Sequence, residues 1–195
     1  VGYRREAALR VIGWPIPVTL AVLPHTPHGE ALARAAHAAG KPVLVHLPME
    51  AAIPREPGPG VLRADMGPDE FRLALLHDLG AVPHAVGVNN HMGSRLTTLA
   101  EPMGWLMETL RERNLSFLDS RTTPDTVAAG AARRAALPWS SRDVFLDPVI
   151  AVPAIEAQLE RAEFLARRQG RAVVIGHPHR ATLDVLEARI RDGWF

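Results

Sequence analysis

The chain predicts an α/β protein of repeated βα units closed into a barrel, and three observations carry that expectation. Short apolar runs alternate with longer stretches in which apolar residues recur three and four apart. Several of the short runs end in His, Asn or Asp. An alternating β/α protein gathers such residues on one face, at the carboxyl ends of its strands. The glycine patterns G-x-G-x-x-G and G-x-x-x-x-G-K-[ST], which mark the phosphate loops of doubly wound sheets, are absent. That absence tilts the expectation from an open sheet toward a barrel.

Six strands are expected, at residues 18–23, 43–47, 85–88, 115–118, 144–146 and 172–175. Helices are expected at 29–39, 68–79, 97–113, 124–136, 153–168 and, after the last strand, 181–191. Pro68 and Pro124 suit a first helical turn, where the missing N–H is harmless. Asp69, Glu70 and Asp125 beside them match the helix dipole. Gly40, Gly80 and Gly170 suit helix C-termini, where a left-handed residue is wanted. Residues 50–66, rich in proline and glycine, form the longest irregular segment and follow directly on the strand that carries His46. A mobile flap over a groove is the expectation for them. No composition shift divides the chain, so one domain over residues 1–195 is expected.

Composition narrows the chemistry. The 195 residues are 47% apolar and 22% charged, enough for one sizeable core. A net charge of +1 with no basic run longer than two residues leaves no electrostatic footprint for nucleic acid. Without cysteine there is no disulfide and no thiolate ligand or nucleophile, so a metal must be held by His, Asp or Glu. No run approaches the ~18 apolar residues of a membrane span. No leader opens the chain, whose start at Val1-Gly2-Tyr3 suits a processed or trimmed product.

The stretch Gly87-Val88-Asn89-Asn90-His91-Met92-Gly93-Ser94-Arg95 is the most telling, because two consecutive amides after a buried strand need partners that a plain turn does not supply. His46 interrupts an apolar run; alone it reads as a core histidine, but its place near a strand end points to the same mouth as His91. Glu50, four residues on, either reaches that site or holds its own loop. His177 and His179 flank Pro178 and point to one side of an extended segment, as two metal nitrogens or as one ligand and one general acid. Asp119 and Asp147 each end a strand, where helix capping is the common use of aspartate; the flanking Ser120 and Arg121 raise Asp119 above that use, and Asp147 stays close to it. His25 is a further candidate at the mouth, while His37, His77 and His84 read as surface or packing residues. Together these residues suggest a divalent metal that activates water and polarises a carbonyl, with a carboxylate base and an imidazole acid. Asn89, Asn90, Ser94 and Arg95 would hold substrate or its oxyanion.

Five segments, taken in order, resemble the divergent polysaccharide deacetylase family over nearly the whole chain. They are Thr19-Leu20-Ala21-Val22-Leu23-Pro24, His46-Leu47-Pro48-Met49-Glu50, Gly87 through Ser94, Phe117-Leu118-Asp119-Ser120 and Ile175-Gly176-His177-Pro178. The resemblance implies a distorted (β/α) barrel of the NodB type, with about seven strands, in a periplasmic or secreted protein. It also implies zinc or a similar divalent metal held by one aspartate and two histidines, a second aspartate as base, and N-acetylated sugar as substrate. By position His46 and His91 are similar to the histidine ligands, His177 to the late-strand histidine that supports or protonates, and Asp119 to a residue lining the groove. Family members carry an Asp-Asp pair just ahead of a segment similar to Val1-Gly2-Tyr3. This chain is therefore expected to lack the first strand and its carboxylates.

Three readings follow. The first is a metal-dependent deacetylase acting on an acetylated envelope polysaccharide. The second is a non-catalytic envelope protein that binds glycan or a protein partner in the same groove. The third is another metal-dependent barrel hydrolase, such as a phosphoesterase or amidohydrolase.

Overall fold

Apolar runs flanked by helices on both sides give parallel strands buried on both faces, and that pattern organises the chain. A computed structural model describes residues 1–193. Five strands, β1 (Leu20–Val22), β2 (Val43–Met49), β3 (Ala85–Met92), β4 (Ser116–Asp119) and β5 (Trp139–Ser141), form one parallel sheet in that order. A second parallel pair joins β6 (Val144–Phe145) to β7 (Val174–Ile175). Around them run α1 (Arg5–Ile12), α2 (Gly29–Ala38), α3 (Pro68–Gly80), α4 (Ala100–Glu112), α5 (Ala128–Arg134), α6 (Val152–Gln169) and α7 (Arg180–Arg191).

Of the seven residues of β2 only His46 is not buried, so this strand is the spine of the larger sheet. Phe71 and Leu75 from α3 and Met103, Leu106 and Leu110 from α4 pack on that sheet, each fully buried. The β6–β7 pair has its own core of Val144, Leu146, Ile155, Leu159, Ala162 and Val185. The two layers are tied at the surface by α1 and α7. Arg10 bonds Glu187 at 2.5 Å and Asp184 at 2.6 Å, and Trp14 Nε1 donates to Glu187 at 2.9 Å. Lys41, the single lysine, donates to the carbonyls of Trp14 and Ile16 and so fastens the segment that leads from α1 into β1.

The structure departs from the sequence expectation at several points. Seven strands are found among the described residues instead of six; the extra one, β5, is the polar run Trp139-Ser140-Ser141, which no apolar pattern marks. The ladders form a sheet of five and a pair, and closure into a barrel is not seen in them. Pro68 takes the first turn of α3 as expected. Pro124 does not do so in α5, which starts only at Ala128, after a turn in which Thr126 bonds back to Asp119. Gly170 closes α6 in the left-handed conformation, whereas Gly80 is still helical.

Residues 50–66 are attached to the sheet at their two ends. Leu62 is fully buried and bridges to Met49; Glu50 N donates to Leu62 O while Leu62 N donates to Pro48 O, and the Glu50 carboxylate accepts from Ala64 N and pairs with Arg95. None of these residues lines the cleft described next.

Candidate functional site

Parallel pairing of β2 and β3 places His46 opposite Asn89 and Pro48 opposite His91. Strand alternation then turns His46, Asn89 and His91 toward one side. Asn89 donates its Nδ2 to Ser120 Oγ at 3.1 Å, which leaves its Oδ1 to accept from His46 Nδ1, also at 3.1 Å. Since an amide oxygen only accepts, His46 carries its proton on Nδ1 and presents a bare Nε2. That nitrogen lies 3.0 Å from His91 Nδ1.

Burial pushes the pKa of His46 well below its usual value, with His91 adding to the effect. Burial and then nearby His177 lower His91 to about 4. Both rings are therefore neutral near pH 7, the form in which imidazole binds a metal. A second arm enters from the other ladder. Asp147, at the end of β6, is buried and bonds His177 Nδ1 at 3.0 Å and His177 N at 2.7 Å, and it accepts from Thr182 Oγ1 at 2.9 Å. Burial alone would raise the Asp147 pKa, but these hydrogen bonds outweigh it and hold the carboxyl below its ordinary value. The pair fixes His177 with Nδ1 protonated and Nε2 free. His179 stands beside it, 5.8 Å between ring centroids.

His46, Asn89, His91 and His177 line one cavity of about 480 Å³, whose remaining wall is largely apolar. The arrangement offers two neutral nitrogens converging on one point, with a carboxylate-anchored imidazole on the facing wall. Such a set can hold a cation and move a proton.

Residues 1–193 of the 195 match the family described as divergent polysaccharide deacetylase. The chain belongs to that family. Relatives agree: YibQ of Escherichia coli (strain K12), an uncharacterized protein, is 40% identical over 190 residues, covering 97% of this chain. An uncharacterized Haemophilus influenzae protein is 32% identical over 192 residues, covering 98% of this chain and 69% of its own length. This chain spans 59% of YibQ. Among solved structures, uncharacterized protein ATU2773 of Agrobacterium tumefaciens C58 superposes over 100% of this chain and 80% of its own, with a TM-score of 0.93 at 23% identity. The lactam utilization protein of Thermus thermophilus shares the fold more distantly, with a TM-score of 0.61 at 16% identity over 98% of this chain and 91% of that one.

The other sequence candidates of this deacetylase-family chain lie elsewhere. Asn90 accepts from Ser120 N and donates to Met92 O, so it shapes the turn behind His91. Ser94 accepts from Ala52 N, and Arg95 with Glu50 anchors the 50–66 segment. Asp119 gives its oxygens to Arg121 N and Thr126 Oγ1, and it does not line the cavity. His25 pairs with Asp78 at 2.8 Å, also outside the cavity. Gly93 and Met92 turn the chain sharply after His91 with φ of +85° and +55°; a Cβ at Gly93 would stand 3.0 Å from that of Met49. Asp147 is the residue that sequence reasoning undervalued. Thirty positions separate it from His177, and only the β6–β7 pairing joins them.

Proposed function

We propose that this chain is the catalytic unit of a metal-dependent deacetylase that removes acetyl groups from an N-acetylated envelope polysaccharide in the periplasm or outside the cell. The observation that carries the proposal is the convergence of His46 Nε2 and His91 Nδ1 to 3.0 Å, with Asn89 holding the first ring in its metal-binding tautomer. Two neutral imidazole nitrogens so close fit a divalent cation such as zinc. When bound, that cation supplies Lewis acidity toward an acyl carbonyl. His177, held by Asp147 through Nδ1, would take a proton on its free Nε2 and pass it to the departing amine.

The base and a third ligand are expected from carboxylates ahead of Val1, and the cleft has a place for them. Val1 already extends alongside β1: its amino group bonds Ala21 O at 2.6 Å, and its carbonyl accepts from Leu23 N at 2.9 Å. Between β1 and β7 the groove is walled by Val11, Trp14, Leu20, Val174, Leu183 and Leu186, which suit a buried strand better than a sugar. We infer that a strand upstream of Val1 fills it, joins the two ladders into the distorted barrel and delivers its terminal carboxylates beside His46.

The test uses a chain extended upstream and loaded with zinc. Acetate release from N-acetylated oligosaccharides, abolished by His91→Ala or by chelation, is the expected result. An extended chain that binds zinc yet frees no acetate from a broad panel of acetylated glycans overturns the proposal in favour of a binding role.

A further inference from the structure

A second group of metal-type donors lies outside the cleft. Asp78, in the last turn of α3, is wholly buried; its Oδ1 is 2.8 Å from His25 Nε2, and its Oδ2 has no hydrogen-bond partner. The ring of His77 stacks on that of His25, 4.2 Å between centroids and 19° from parallel. One donor atom from each of the three residues lies within 4.8 Å of the other two.

Two of the three are there at some cost to the fold. A buried carboxylate oxygen without a donor is rare in native proteins and calls for an ion or a water. His25 sits at φ +53°, a conformation that a non-glycine residue adopts only when its surroundings demand it. Gly60 closes over the carboxylate so tightly that a Cβ there would fall 2.1 Å from Asp78 Oδ1. Both imidazoles remain reachable from solvent, since His77 is exposed and the side chain of His25 is 22% exposed. The carboxyl group thus lies between Gly60, which closes over it, and the His25 ring bonded to it.

We propose that His25, His77 and Asp78 bind a divalent transition cation of the zinc, cobalt or nickel class, which imidazole and carboxylate donors suit. The site is separate from the cleft, shares no residue with it and does not depend on the deacetylase reading. Its role is a clip: it ties the segment after β1 to the end of α3, 53 positions apart in sequence. Water completes the coordination shell on the exposed side.

Zinc stoichiometry by equilibrium dialysis and elemental analysis, together with melting curves with and without zinc, tests this on the full chain. His77→Gln changes an exposed residue, so its metal-free melting temperature should match that of the parent. It should bind one equivalent less zinc, or bind that equivalent at least 10-fold more weakly, and lose most of the zinc-induced rise in melting temperature. A His46→Gln/His91→Gln double variant should keep that rise. If the double variant keeps all the zinc and His77→Gln loses all of it, the clip stands and the cleft metal falls. If His77→Gln and Asp78→Asn both bind as much zinc as the parent and melt alike with it, the clip is refuted.

Discussion

His46 and Asn89 face each other across β2 and β3, and the 3.1 Å bond between them decides which nitrogen of the histidine is free. The amide is itself held by Ser120 from the end of β4, so three adjacent strands cooperate to aim one lone pair at His91. A ligand aimed in advance loses little freedom on binding.

Asn89→Ala should therefore weaken zinc binding at the cleft by about 10–100-fold, the usual effect of removing a partner that orients a metal ligand. Competition with a calibrated chelator measures it, with His77→Gln present so that only the cleft is read. Unchanged affinity would show that the amide does not set the ring.

Asp147→Asn should lower acetate release by the extended chain without lowering its zinc content, because Asp147 orients His177 and touches neither His46 nor His91. His177→Ala should cost about 10²–10⁴-fold in kcat, the range of a lost general acid, and the Asp147 variant should fall between it and the parent. A loss of metal in Asp147→Asn would move His177 from proton donor to ligand.

Trypsin should cut the native protein after Arg55 and spare Arg63. The first is exposed in the proline-rich stretch; the second is flanked by buried Leu62 and by Ala64, whose N–H is bound by Glu50. Glu50→Gln should extend cleavage to Arg63. Equal cleavage at both sites in the parent would mean that the whole segment moves.

Stability should fall in acid partly through Glu187. Hydrogen bonding to Arg10 lowers its pKa below the ordinary 4.5, with Trp14 assisting. A carboxyl depressed in the folded state adds stability that is complete above its unfolded pKa and lost as pH falls through the folded one. For a partly exposed pair this is about 1 kcal/mol at most. Urea melts of Glu187→Gln should show a parent-like slope above pH 5 and a shallower decline below pH 4.

The strand-end histidines were legible because each follows an apolar run that only a buried strand explains, and the parallel register does the rest. Other features were hidden for definite reasons. β5 is polar and short and is recruited by β4 rather than by its own pattern. Asp119 and Asp147 end strands in the same local setting, and only long-range pairing makes one a turn anchor and the other the partner of His177. The attachment of residues 50–66 was hidden because proline and glycine forbid regular structure without forbidding attachment: Leu62 is buried and bonds the end of β2.

The imidazoles of the cleft hang from two separately cored layers, His46 and His91 on one and His177 on the other. Proteins open locally in cooperative units of differing stability, and the β6–β7 unit has the smaller of the two cores. On the deacetylase proposal, opening of the β6–β7 unit alone would carry His177 away while His46 and His91 stay paired. A protein in that state would keep the paired histidines of the proposed metal site and lose the proposed acid.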